Sequence, residues 1–340
     1  MLLNSLYFRF RPLIPRTIRL GIRRTLALRK LDRVCGTWPI LPGSEQPPAG
    51  WPGWPEGKKF GLILTHDVES EVGVARVRHV AELEMKYGFR SSFNFIPEGP
   101  YSVPPALRSW LADRGFEVGV HDLQHDGNLY SSREEFRRKA QRINFHLKEW
   151  NAAGFRSGFM LHNLDWIGDL EIQYDSSTFD TDPFEPQPDG VNTIFPFWVP
   201  RSSAADSLNH PGDGYIELPY TLPQDSTLFL LLSETTSRIW KAKLNWIAKH
   251  GGMVLLNTHP DYMRFYRHGS LHEFPAGLYE DFLKYLSTRY AGEHWHALPR
   301  EVATFAFQYR NTAREEISGP GSVGTTVAPG QSGEFRAIPR

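Results

Sequence analysis

From residue 60 onwards, short continuous apolar runs take turns along the chain with segments whose apolar residues fall on one face of a helix. Residues 60–65 form a nearly unbroken apolar run of strand length, as expected for a parallel strand buried on both faces. Residues 72–88 repeat apolar side chains on one helical face, and Gly88 ends that pattern. Six further strands are predicted at 91–96, 116–120, 155–159, 173–178, 214–219 and 253–258, and four further helices at 104–114, 132–150, 233–250 and 276–290.

This alternation of strands with helices indicates an α/β fold with a parallel sheet. Seven strands in one series favour a closed barrel over an open sheet. In an α/β barrel the chemistry lies at the carboxyl ends of the strands. We therefore expect the residues that follow each strand to carry the functional side chains.

Three segments lie outside this regular series. Residues 1–57 combine a basic helical arm with a wrap rich in Pro, Gly and Trp, and residues 58–310 form the predicted barrel. Residues 311–340 are rich in Gly, Ser, Thr and Pro, which predicts a disordered tail. Residues 179–213 lack periodicity and are expected to form a long loop over one end of the barrel.

Charge and cysteine content narrow the function. The 340 residues hold 38 Lys and Arg against 38 Asp and Glu, so nucleic acid is not an expected partner. The lone Cys35 excludes a Cys-rich zinc site and fits a reducing, cytoplasmic location. We predict no transmembrane helix, because the chain contains no apolar run of about 18 residues.

The charge is unevenly distributed along the chain. Residues 1–34 hold nine basic side chains and one acidic side chain, a net charge of +8, and the remainder therefore carries −8. Apolar residues lie between the arginines, which favours peripheral contact of this arm with an anionic membrane. The alternative is that the arm folds back onto the acidic body as an intramolecular clamp.

Two carboxylates follow the first predicted strand. Asp67 and Glu69 are two residues apart, so in an extended chain their side chains point to the same side. At a barrel mouth one could bind a metal while the other accepts a proton. The alternative is that Glu69 belongs to the capping sequence of the next helix.

Two histidines follow the third predicted strand. His121 and His125 are four residues apart, a spacing that places both imidazoles on one face of a helical turn. Two imidazoles and a carboxylate suit zinc and leave one coordination position open for water. A pair of surface histidines is the alternative interpretation.

Two more strand ends carry candidate catalytic groups. Arg156 could pair with a catalytic carboxylate and keep it ionised, or it could form an ordinary surface salt bridge. His259 follows the apolar run of the last predicted strand and could act as a general acid. The alternative for His259 is a structural histidine beside Pro260.

In this order the residues resemble the motifs of the polysaccharide deacetylase family, also called the NodB-homology domain, over about residues 58–300. Thr65-His66-Asp67-Val68-Glu69 is similar to the first motif, with Glu in the second acidic place. The His-x-x-x-His sequence is similar to the second motif. The Arg that follows Phe155 is similar to the third, although the usual Pro after the Arg is missing. The apolar run that leads to His259 is similar to the fifth. Asp175 is the best candidate for the poorly matched fourth motif.

The resemblance implies a distorted (β/α)7 barrel and a metal-dependent hydrolase that removes an acyl group, usually acetyl, from the nitrogen of an amino sugar. It implies the following roles: Asp67 as base, Glu69, His121 and His125 as ligands of a divalent metal such as zinc, and His259 as acid. Arg156 would keep Asp67 ionised, and Asp175 would be a supporting residue. Three alternatives remain open: a non-catalytic glycan-binding protein on the same barrel, an amidase of a small non-sugar amide, and a membrane-bound assembly factor.

Overall fold

The structure, a computed structural model, describes residues 16–34, 36, 38–181, 183–184, 189–201, 214–267 and 269–318. Its strands are β1 (Phe60–Val68), β2 (Ser92–Phe95), β3 (Glu117–His121), β4 (Gly154–Arg156), β5 (Tyr174–Asp175), β6 (Phe197–Pro200), β7 (Gly214–Glu217), β8 (Met253–Thr258), β9 (Met263–Arg264), β10 (Phe274–Pro275) and β11 (His294–His296). Its helices are α1 (Arg16–Val34), α2 (Glu71–Lys86), α3 (Pro105–Ala112), α4 (Arg133–Trp150), α5 (Leu164–Ile167), α6 (Arg238–His250), α7 (Gly277–Arg289) and α8 (Pro299–Ser318).

Seven parallel strands lie side by side in the order β8-β1-β2-β3-β4-β5-β7. The sheet curls until the chain beyond β7 meets β8, where the backbone N–H groups of Thr221 and Leu222 donate to the carbonyl of Leu255 at 3.3 and 3.1 Å. Each of the seven strands coincides with a strand predicted from sequence. The α/β class and the distorted (β/α)7 barrel are therefore confirmed.

The core explains why the strands are apolar without alternation. Every residue of β1 is buried, because helices cover one face of the strand and the barrel interior lies against the other. Leu62 and Leu64 pack towards the helices, whereas Ile63 packs inside the barrel with Trp54 from the Pro-rich wrap. The indole N–H of Trp54 donates to the carbonyl of Gly251 at 2.7 Å, which fixes the wrap to the barrel.

Local signals determine where the helices begin. Ser70 is the N-cap of α2, where its side chain accepts from the N–H of Gly73, and Ser132 caps α4 in the same way through Glu135. Helix α6 begins at Arg238, later than the predicted residue 233, because the chain first forms a π-helical segment, Ser226–Leu231. None of the described helices has the length and apolar character that a membrane span requires.

The structure differs from expectation in two irregular segments. Strand β6 lies within residues 179–213, where a loop was expected, and it pairs antiparallel with β7 at the edge of the sheet. Helix α8 continues to Ser318, into the segment for which composition predicted disorder, and residues 319–340 lie outside the described residues. Two strands are shorter than predicted: β4 ends at Arg156, before the predicted residue 159, and β5 ends at Asp175, before the predicted residue 178.

Candidate metal centre and active site

The carboxyl end of β1 presents two carboxylates on one side. Asp67 faces the site, whereas Val68 is fully buried in the hydrophobic cluster under the helices. Glu69, the next residue, returns to the side of Asp67 because successive side chains of an extended chain alternate. The acidic pair of this chain is therefore Asp67 and Glu69, and Val68 is a core residue.

Asp67 is held by three side chains from other strands. Its Oδ1 accepts from Nδ2 of Asn94 and from Nη1 of Arg156, both at 3.0 Å, and its Oδ2 accepts from Nδ2 of Asn257 at 2.9 Å. Burial alone would raise the pKa of Asp67, but Arg156, His121 and other groups outweigh it and hold that pKa far below its usual range. Asp67 is therefore an ionised, fixed acceptor.

Arg156 lies in the barrel interior and its side chain is only 2% exposed, which does not fit a surface salt bridge. Besides Asp67, it donates through Nη1 to Oγ1 of Thr65 at 3.0 Å and to Oδ1 of Asn257 at 2.8 Å. Its Nε and Nη2 donate to the carbonyl and hydroxyl of Ser176, both at 2.9 Å. The guanidinium is thus anchored on both sides and has little freedom to leave Asp67.

Glu69, His121 and His125 form one cluster whose ligand atoms all lie within 4.8 Å of one another. Oε1 of Glu69 lies 3.9 Å from Nε2 of His121 and 3.3 Å from Nε2 of His125. Neither Nε2 atom has a hydrogen-bond partner among the described residues, although both are buried. Buried polar atoms are normally paired, so this arrangement is typical of a site that takes a cation.

The local backbone of the two histidines is not the helical turn that their spacing suggested. His121 ends β3, and the chain then passes through left-handed conformations at Asp122 (φ 57°) and His125 (φ 53°). Gly158 makes room for this loop, because a Cβ there would lie 2.8 Å from Cδ2 of His125 and 2.3 Å from Oδ2 of Asp122. The imidazoles converge because the loop reverses, not because of helical periodicity.

The titration of this cluster follows from its charges. Burial alone would raise the pKa of Glu69, but the three neighbouring imidazoles hold it well below its usual value. The pKa of His121 is raised, since Asp67 and Glu69 outweigh burial, whereas burial lowers the pKa of His125. The site thus places an ionised carboxylate opposite the nitrogen atoms of two imidazoles.

His259 follows β8 and is fixed by Asp225. Oδ2 of Asp225 accepts from the backbone N–H of His259 at 2.7 Å, and Oδ1 of Asp225 lies 2.7 Å from Nδ1 of the same imidazole. Burial would lower the pKa of His259, but Asp225 and Glu69 raise it to about 10. Its Nε2 lies 3.9 Å from Oε1 of Glu69 and points to the same centre as the other two histidines.

Several residues of the site were missed from sequence. Asn94 is the penultimate residue of β2, in register with Asp67, and Asn257 is the penultimate residue of β8, so both positions near strand ends were available as signals. Asp225 lies in an irregular segment and had no such signal. Two further residues near His259 in sequence hold Glu69. The backbone N–H of Glu69 donates to Oδ2 of Asp261 at 2.9 Å, and the hydroxyl of Tyr262 donates to Oε2 of Glu69 at 3.0 Å.

Asp175 lies in a different environment from the other candidates. Its Oδ1 accepts from the hydroxyl of Ser177 at 2.8 Å, and the strand register places it beside Glu217, which is also buried. Burial and the charge of Glu217 raise the pKa of Asp175 well above its usual value. Asp175 is not part of the cluster formed by Glu69, His121 and His125.

No protein-family model and no curated protein sequence matches the chain. A protein from Mycobacterium smegmatis assigned as a polysaccharide deacetylase superposes with a TM-score of 0.55 at 16% identity, over 81% of this chain and 97% of that one. The peptidoglycan deacetylase PdaC of Bacillus subtilis gives a TM-score of 0.41 at 11% identity, over 76% and 98%. A Bordetella bronchiseptica protein assigned as a polysaccharide deacetylase of O-antigen biosynthesis gives 0.40 at 16%, over 76% and 93%. The chain therefore has the fold of the polysaccharide deacetylases.

Proposed function

We propose that this protein is a metal-dependent hydrolase that removes an N-acyl group, with acetyl as the expected group, from an amino sugar. The observation that carries the proposal is the pair of buried Nε2 atoms of His121 and His125, which lie close to Oε1 of Glu69 without a hydrogen-bond partner among the described residues. Two imidazoles and a carboxylate form a ligand set of the zinc type, and they leave a position for water. The residues present therefore fit a divalent ion, and zinc is the ion we expect.

A bound divalent ion supplies Lewis-acid chemistry, since it acidifies water and polarises an acyl oxygen. Asp67 accepts a proton from the attacking water, and Arg156 and Asn257 keep its carboxylate ionised and oriented. His259 donates a proton to the amide nitrogen as the C–N bond breaks, because an amine anion cannot leave unaided. Asp225 holds the imidazole of His259 in position. The products are a carboxylate and the free amine of the sugar.

Several classes of substrate are compatible with the proposed reaction. A cytoplasmic location, expected from the lone Cys35, would favour a lipid-linked or nucleotide-linked sugar over an extracellular polymer. Peripheral contact with a membrane through residues 1–34 would favour the lipid-linked option. The same catalytic groups would also serve an amidase of a small non-sugar amide, so substrates of that class belong in the same screen.

The test is to measure bound metal and the release of acetate from N-acetylated sugars and non-sugar amides. We expect about one divalent ion per chain and turnover of at least one amino sugar. His121→Ala should lose both the metal and the activity, whereas His146→Ala, which alters a histidine paired with Glu98 outside the cluster, should lose neither. Metal-free wild-type protein after incubation with zinc, or His121→Ala with unchanged metal content, would refute the proposal. Metal binding without turnover of any substrate would favour a glycan-binding protein.

A further inference from the structure

Helix α1 has one face that packs on the barrel. Ala27 is buried, and Leu31 and Val34 pack against the main hydrophobic cluster. The Nε of Arg24 donates to the carbonyl of Leu230 at 2.7 Å, in the π-helical segment that follows Asp225. This face attaches the helix to the body and orients the opposite face outward.

The outward face is apolar in its first half. Ile18, Ile22 and Leu26 are 54%, 53% and 56% exposed, and their spacing of four residues places them in one row along the helix. The same row continues into Arg29 and Arg33, which are also exposed. Single exposed apolar side chains are common, but a row of three on a helix that already buries its other face indicates a binding surface.

The charge of the helix identifies the kind of partner. Helix α1 holds seven basic residues and one acidic residue, a net charge of +6. A second copy of the same helix would be repelled by this charge, whereas the phosphates of an anionic bilayer would be attracted. Basic residues combined with an exposed apolar row are typical of helices that lie in the plane of a membrane interface.

We propose that the outward face of α1 docks this protein on an anionic lipid bilayer. Ile18, Ile22 and Leu26 insert among the lipid headgroups, and Arg29 and Arg33 contact the phosphates. The opposite face of the helix stays on the barrel, so the docked helix carries the barrel with it.

The docked helix lies at the end of the barrel that holds the candidate site. Its contact with Leu230 is in the segment beyond β7, shortly after Asp225, the partner of His259. The Nζ of Lys30 donates to the carbonyl of Pro183 at 2.5 Å, in the segment beyond β5. Both segments leave the carboxyl ends of parallel strands, where Asp67 and His259 also lie.

The test is co-sedimentation of the full-length protein with vesicles of phosphatidylcholine alone or mixed equally with phosphatidylglycerol. We expect binding to the anionic vesicles that is at least about tenfold stronger and that weakens as salt screens the charges. The triple variant Ile18→Ser, Ile22→Ser, Leu26→Ser should lose at least about tenfold in binding. A matched variant, Val72→Ser, Phe145→Ser, Leu271→Ser, removes exposed apolar side chains elsewhere and should bind like the wild type.

Three results would overturn the proposal. The first is equal binding to neutral and anionic vesicles, and the second is unchanged binding by the α1 triple variant. The third is a wild-type dimer in light scattering that the same variant abolishes, because the outward face would then be an interface between copies of the chain. None of these readouts depends on deacetylation, so a failure of the proposed activity leaves this inference intact.

Discussion

At the scale of single residues, the candidate site depends on hydrogen bonds that orient each titratable group. Asp67 accepts from two amides and a guanidinium, and Asp225 holds His259 through both of its oxygens. Each of these partners is distant in sequence and buried. The geometry of the groups proposed as acid and base is therefore set before any substrate binds, which is the condition for efficient proton transfer.

The role proposed for His259 leads to a prediction for two variants. His259→Ala should lower kcat by about 10²- to 10⁴-fold while the metal content stays unchanged, because a general acid is lost but the ligands remain. Asp225→Asn should lower kcat in the same direction, since it weakens the bond that orients Nδ1. Steady-state kinetics with elemental analysis measures both effects. Loss of metal from His259→Ala would show that His259 is a ligand.

A second residue-scale prediction concerns His296, which lies at the other end of the barrel. Its Nε2 accepts from the backbone N–H of Arg90 at 2.8 Å, so protonation at that atom would break the bond. Burial lowers the pKa of His296 from 6.5 to about 4. Between these values the unfolded chain binds a proton that the folded chain does not, so stability falls as the pH decreases from 6.5 to 4, by about 2–3 kcal/mol.

Urea unfolding as a function of pH measures this effect. His296→Gln keeps an acceptor near Arg90 but cannot titrate, so its stability should depend less on pH between 4 and 6.5 than that of the wild type. His79→Gln, which replaces an exposed histidine, should keep the wild-type dependence. An identical pH dependence for wild type and His296→Gln would contradict the prediction.

At the scale of elements, the aromatic ring of Tyr174 in β5 lies directly against Gly154 in the neighbouring strand β4. Gly154 begins β4, and a Cβ at this position would lie 1.9 Å from Cζ of Tyr174 in β5. The hydroxyl of Tyr174 donates to Oε1 of Glu117 in β3 at 2.8 Å. The absent side chain of Gly154 thus lets Tyr174 reach over β4 to the buried carboxylate of Glu117 in β3.

Gly154→Ala should therefore destabilise the protein by about 1–3 kcal/mol, because Tyr174 must move and its bond to Glu117 is strained. The matched control is Gly277→Ala at the start of α7, where a Cβ would meet nothing within 4 Å. This control should be neutral or stabilising by up to about 1 kcal/mol, since alanine favours helix over glycine. Urea denaturation measures both variants, and equal stability of Gly154→Ala and wild type would refute the argument.

At the scale of the whole molecule, the cluster joins the parts of the barrel that follow β1 and β3. Glu69 lies beyond β1, whereas His121 and His125 lie at and beyond the end of β3. A divalent ion held by all three would link these segments in the folded state only. Binding that occurs only in the folded state raises stability, by about 2.7 kcal/mol at a free-ion concentration of 100 times Kd.

Removal of the metal by a chelator should therefore lower Tm, and added zinc should restore it. His121→Ala should show a Tm that depends on neither chelator nor zinc, because one ligand is missing. Thermal denaturation followed by circular dichroism measures the shift. A wild-type Tm that is insensitive to both treatments would show that the cluster does not hold a metal under these conditions.

The sequence by itself was enough to predict the barrel, which the structure confirms, and the residues of the candidate site. Apolar runs and one-faced helical patterns depend on neighbours along the chain, so all seven parallel strands could be predicted. Parallel strands also place their carboxyl ends together, so the order of Asp67, Glu69, His121, Arg156 and His259 at strand ends was sufficient to predict one shared site.

Only the tertiary structure decided how these groups are held. The contacts of Asp67 with Asn94 and Asn257 and of His259 with Asp225 join residues that are 27, 190 and 34 positions apart. No local pattern encodes such pairs, because they depend on which strands become neighbours when the sheet curls. The left-handed loop at His125 and the outward row of α1 were undetermined for the same reason: each depends on what packs against the chain.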